Sequence, residues 1–208
     1  MSIQYSVEIL PGFEKALLQA AQKQIVRRIR AVAQSIKTDV QDLIRSRIES
    51  SETWLSLDNG ALRGELGVNH SRLTAILDMF VKSVSITVAP TVVGKEIQNV
   101  LVIEAIENSY LTYTESTAAI IKSNEYIVPW LRWLLLSGTA LVVGNFHVET
   151  NLSAEQKAHS RTGDAIMVAG GFYRVPPEHA GIQTNNFVTR ALDGIENDII
   201  NVLKRNIG

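Results

Sequence analysis

Four histidines, one histidine–serine pair and two glycine clusters are the residues of this chain whose types invite a search for chemistry. His147 and Glu149 lie two apart in an alternating apolar stretch, which puts both on one side of a strand, where they could serve as two metal ligands. A third ligand would have to come from elsewhere, and no H-E-x-x-H or comparable helical pair supplies it. His159-Ser160 has the types of a base and a nucleophile. Adjacent residues rarely hold hydrogen-bond geometry, however, and no G-x-S-x-G elbow presents the serine. Gly64 with Gly67, and Gly170-Gly171, do not match the G-x-x-x-x-G-K-[ST] phosphate loop, so turns account for them. His70 and His179 stand alone. The chain has no cysteine, which removes disulfides, thiolate metal sites and cysteine nucleophiles together. The expectation is no enzyme, no metal and no cofactor.

Function must then come from shape and partners, so the elements matter more than any triad. The chain has 208 residues, enough for one domain with its own core, and its 46% apolar and 20% charged content is that of a folded globular protein. The formal net charge of −1 suggests no large asymmetry and argues against strong DNA binding by a free monomer. The N-terminus lacks the basic and apolar regions of a signal peptide. The most apolar run, Ile127 to Val143, is broken by Pro129, Arg132, Ser137 and Gly138, so no membrane span is expected. These features predict a soluble protein made in cytoplasm.

Residues 3–10 alternate as a strand or extended arm ending at Pro11-Gly12. From Phe13 to Glu49 apolar residues recur at three and four, predicting a helix roughly 55 Å long. A compact chain of this size is only about 40 to 45 Å across. The helix must therefore kink, near Ser35 to Asp39, or project to meet another subunit. Its basic residues (Arg27, Arg28, Arg30, Lys37, Arg45, Arg47) read as a solvated face. Residues 54–68 read as turns. A helix is expected over Ser71 to Phe80, and strands over Val81 to Ala89, Asn99 to Ile106 and Asn108 to Glu115. A short helix around Pro129 follows, then a strand over Thr139 to Glu149 and a polar loop over 151–163. A strand from Ala165 to Val168, a Gly-Gly turn and a helix from Asn186 to Ile207 complete the chain. The expected class is α+β: a mostly antiparallel sheet packed by a long N-terminal and a long C-terminal helix in one domain over 1–208.

Trp130 and Trp133, three apart, share a helix face. They either fill the core or, if exposed, anchor a subunit contact. Arg161, in a loop before a strand, could reach a neighbour or DNA, with a solvated loop arginine as the default reading.

Two motifs now stand in order. The first is LDNGALRGELGV, with Gly60, Leu62 and Arg63. The second is VPPEHAGIQTNNFVTRAL, with Pro176, Pro177, Asn186, Phe187, Arg190 and Ala191. With the long first helix, they resemble the tail-completion (neck) proteins of long-tailed bacteriophages, the family related to tail terminators and head–tail joining proteins. Residues 108–138 look like an insertion relative to a minimal member, and LTYTES is the nearest counterpart of the family's middle strand. The resemblance implies a structural virion protein. Copies would form a ring of about six at the neck, between head connector and tail tube, with DNA only in passage. Synthesis would be in the host cytoplasm. A cytoplasmic, non-catalytic regulatory module that dimerises through the long helix is the alternative, although that helix lacks sustained heptads.

Overall fold

The computed structural model describes residues 12–93, 96–98, 101–107, 109–122 and 126–207. The strand expected over 3–10 lies outside them. Helix α1 (Phe13–Glu49) is one unbroken helix. It contains neither proline nor glycine, the usual causes of a sharp bend, and the expected division into two parts near Ser35 is absent. The helix outruns its own core instead. Ile36, Val40, Ile44 and Ile48 are buried, whereas Phe13 and Leu17 are 55% and 58% exposed.

Helices α2 (Glu52–Asn59) and α3 (Ala61–Leu66) replace the turns expected over 54–68. Ser51 caps α2 by accepting from the Trp54 N–H at 3.3 Å. The glycines that suggested turns have other duties. Gly60 separates the two helices, and a Cβ there would lie 2.8 Å from Ser56 Cα. Gly67 ends α3 in the left-handed region, at φ 63°. Helix α4 (His70–Lys82) starts on an Asn69 cap and absorbs Val81 and Lys82, so β1 is only Ser85–Thr87. It pairs antiparallel with β4 (Val102–Glu104), and β2 (Thr91–Val93) pairs with β3 (Glu96–Gln98).

The strand expected over 108–115 is overturned within its described part: Leu111–Thr114 form helix α5, entered through Tyr110 at φ 54°. Strands β5 (Ile121–Lys122) and β6 (Ile127–Val128) pair and lead into α6 (Trp130–Leu136). Strand β7 (Leu141–Glu149) pairs antiparallel with β8 (Ile166–Arg174), and α7 (Ala154–His159) occupies the expected polar loop on a Ser153–Gln156 capping box. The Gly-Gly pair is no turn but part of β8. Asn145 faces both Gly170 and Gly171 in a bulge where all three have positive φ. The C-terminal helix is broken into α8 (Phe187–Ala191) and α9 (Glu196–Ile207), with Gly194 at φ 69° between them.

The class is α+β with antiparallel pairing, as expected. Among the described residues, however, the strands pair two by two rather than in one broad sheet, and the core is mainly helical. It gathers α1, α4 and α6 with Phe187 and Val188 of α8, while α9 packs along α1. Three ion pairs fasten these helices: Arg45 to Asp78 at 2.6 Å, Arg47 to Asp198, and Arg205 to Asp39 at 2.7 Å.

Candidate functional site

The second motif builds its own corner of the fold. Asn186 is fully buried, yet its side chain is satisfied. Oδ1 accepts from the Val188 and Thr189 N–H groups at 3.0 and 3.2 Å, and Nδ2 donates to the Ile182 carbonyl at 3.1 Å. Thr189 Oγ1 accepts from the Asn186 N–H at 2.8 Å, closing a reciprocal cap. Phe187, held by that cap, is 1% exposed. Pro176 turns the chain by accepting from the His179 and Ala180 N–H groups, both at 2.9 Å, with Pro177 exposed at the bend. Arg190 is exposed and straps the loop, donating to Asn185 Oδ1 at 3.1 Å and, more weakly, to the Ala180 and Glu178 carbonyls. Ala191 is half-buried at the end of α8. Gly181 is required by close approach: a Cβ there would meet the Leu134 carbonyl oxygen at 2.3 Å.

The first motif meets Arg161. Leu62 is fully buried, and a Cβ on Gly64 would lie 2.9 Å from Asp164 Cβ and 3.2 Å from Ala165 Cβ, so α3 sits hard against the entry to β8. Arg63 is half-buried, and its Nε is a buried donor without an acceptor among the described residues. Arg161 lies beside Gly67, donates to Tyr126 Oη at 2.8 Å and covers the Tyr126 ring at 5.2 Å. It is engaged within its own chain, though exposed.

The tryptophan pair is corrected as an exposed anchor. Trp130 is 0% and Trp133 8% exposed, so both are core residues of the chain itself. Trp130 Nε1 donates to the Ala118 carbonyl at 2.9 Å, and Trp133 stacks at a tilt on Tyr173, 6.5 Å between centroids. The reason is local. Pro129 starts α6 against the short β5–β6 pair, and five of the seven α6 residues turn inward. The segment 108–138 therefore contributes to the core, with Tyr110, Tyr113 and Leu131 also buried, while Leu111, Tyr126 and Ile127 stay exposed.

The histidines stay apart. His147 Nδ1 bonds the Gly170 carbonyl at 2.7 Å inside the bulge, His70 Nδ1 bonds Asp58 at 2.9 Å on the surface, and His159 ends α7. Among the described residues no three of His, Asp and Glu come together to hold a metal. One contact escaped sequence reasoning: His179 Nδ1 lies 3.1 Å from Thr53 Oγ1, across 126 positions. Thr53 is only 4% exposed, so that hydroxyl closes a packing contact and is not presented as a nucleophile. It borders a shallow cleft of about 370 Å³ beside Arg190 and Phe187. The strongest electrostatic perturbation is also internal. Burial, followed by the Glu65 carboxylate that accepts its proton at 2.8 Å, raises the Tyr173 phenol far above its ordinary range.

Among the described residues, the β7–β8 ribbon carries four exposed large apolar side chains. Each strand has nine residues, about 30 Å long. Tyr173 at one end is buried, whereas Leu141, Phe146, Met167 and Phe172 are 38% to 61% exposed. Neither outer edge of the ribbon pairs with another strand among the described residues. Sequence reasoning identified β7 but missed this surface, because apolar alternation signals a covered face and cannot say that the cover is absent. Among the described residues, no helix is long and apolar enough to cross a membrane. Comparison with protein-family models, with curated proteins and with solved structures finds no match for this chain.

Proposed function

We propose that this protein is a structural component of a phage neck, assembling as a ring of about six copies between head connector and tail. The reading rests on the resemblance of the two motifs and is supported by the character of the exposed surfaces. A closed ring needs heterologous contacts, in which one patch meets a different patch on the next copy. The chain offers two unlike surfaces of this kind. One is the β7–β8 ribbon with Phe146 and Phe172; the other is the projecting start of α1 with Phe13 and Leu17. The ribbon is the observation that carries the proposal, because a two-stranded ribbon with large apolar residues on show is marginal alone and gains most from a neighbour. In this reading the protein is made in the host cytoplasm and resides in the virion, with no catalytic role.

Light scattering over a range of concentrations, with electron microscopy of the largest species, tests it. Rings, or a monomer that joins rings once connector is added, support the proposal. A concentration-independent dimer that forms no ring under either condition overturns it in favour of a dimeric regulatory module. Phe146→Ser with Phe172→Ser should leave the circular dichroism spectrum intact while abolishing rings.

A further inference from the structure

One face of α1 carries charge that nothing among the described residues answers. Residues 15–38 contain Lys15, Lys23, Arg27, Arg28, Arg30 and Lys37 and no aspartate or glutamate. The net charge of −1 therefore does conceal an asymmetry, contrary to the expectation from composition. At about 100° per residue, Lys23, Arg27, Arg30 and Lys37 fall within an arc of about 80° and span about 21 Å along the axis. Gln19 and Gln34 share that arc and are exposed.

The other arginines show what occupied cations look like in this fold. Arg45, Arg47 and Arg205 hold carboxylates, Arg72 donates to the carbonyls of Thr117, Ala118 and Ile120, and Arg161 holds Tyr126. Lys23, Arg27, Arg30 and Lys37 hold nothing among the described residues, and the first three are exposed. These three also border a cleft of about 660 Å³, whose opposite wall is Val88, Ala89 and Pro90. Gln22 Nε2, donating to the Pro90 carbonyl at 2.9 Å, keeps that wall in place.

We propose that this stripe contacts the phosphate backbone of duplex DNA without reading its sequence. Four cations on a rigid rod of about 21 Å match the rise of roughly six base pairs, and guanidinium groups suit phosphate oxygens. The glutamines add neutral donors of the kind that phosphate contacts use. The stripe carries no aromatic side chain, so it lacks the stacking platform that unpaired bases need. A membrane surface fits less well, because from Ile29 onward the apolar side of α1 is spent on the core. The stripe would be the surface by which DNA passing through a neck is touched. For that place in the particle the inference rests on the neck reading; the binding itself needs no ring.

The test is fluorescence anisotropy of the full-length protein with a labelled mixed-sequence duplex of about 30 base pairs, from about 50 to 200 mM salt. Four neutralised phosphates give an expected slope of log affinity against log salt of about −3.5. The variant Lys23→Gln, Arg27→Gln, Arg30→Gln, Lys37→Gln should lose at least about tenfold in affinity at the lowest salt and flatten the slope. Lys157→Gln with Lys204→Gln, on exposed positions elsewhere, should change neither. Absence of duplex binding at low salt overturns the proposal, as does a quadruple variant that binds like the parent. Tighter binding to phosphatidylglycerol vesicles through the same four residues also overturns it. Light scattering on the quadruple variant separates the two readings. Rings that persist while DNA binding is lost support the stripe, whereas DNA binding by a protein that never forms rings supports the stripe and sinks only the neck.

Discussion

Asn186 and Phe187 show how two residues can fix the end of a fold. The asparagine spends its whole side chain on neighbouring backbone, which lets it be fully buried, and so places the next residue in the core. Phe187→Ala should cost about 3 to 5 kcal/mol in chemical denaturation. A loss under about 1 kcal/mol would mean that the site collapses around the smaller side chain or is less tightly packed than its burial implies. A second residue-scale prediction concerns Asp39, whose pKa is lowered first by the Asn206 hydrogen bond and then by Arg205. Its folded value lies below the unfolded one, so any stability it adds is present above the ordinary carboxylate range and is lost as pH falls through the depressed value. A carboxyl titration by NMR should show the depression, and Asn206→Ala should move the midpoint upward; an unmoved midpoint would refute the assigned cause. Tyr173 acts oppositely: its raised value keeps the folded phenol protonated where the unfolded one ionises, so its contribution declines above about pH 10.

At the scale of elements, the projecting start of α1 and the split C-terminal helix decide the shape. Phe13 and Leu17 touch little of their own chain, so Phe13→Ser with Leu17→Ser should change unfolding free energy by less than about 0.5 kcal/mol. A clearly larger loss would show that the arm folds back onto the domain. The sequence made α1, α4 and β7 legible because each repeats its period over several turns or alternations, and α6 because Pro129 marks its start. It hid α5 and α7, which span four and six residues and are settled by packing and caps rather than by propensity. The glycines misled for a related reason. Gly64 serves close packing, Gly170 and Gly171 serve a bulge, and a single sequence does not tell either from a turn. Asp193-Gly194 stops the helix in the structure, a signal that the apolar stripe resuming at Ile195 masks in the sequence.

Across the whole molecule, order is graded along α1. The half from Ile36 to Ile48 is clamped by α4, α8 and α9, while nearer the start of the helix Gln22 meets the 88–90 wall. Amide exchange should therefore be slowest in Ile36–Ile48, α4 and α6, and fastest within α1 before Gln22. Uniform protection along α1 would show that the free chain already covers its arm. The candidate site was the least legible part of the protein. Exposure of Phe146 and Phe172, and the lack of partners for Arg27 and Arg30 among the described residues, follow from which contacts are missing, and a linear pattern records only which are wanted.

The bulge at Asn145 and Gly170-Gly171 bears on how such a molecule waits. A ribbon with two open edges is a template on which its own copies can stack without limit, long before the intended neighbour arrives. Three left-handed residues at mid-length bend the edge there, so no straight strand from another copy can run its full course. Deleting Gly171 would restore a one-to-one register with Asn145. The straightened ribbon should form thioflavin-positive fibrils at concentrations where the parent stays clear, and a deletion variant equally free of fibrils would deny the bulge this guarding role. A feature that looks like a flaw in the ladder would then be what preserves the protein's shelf-life between synthesis and use.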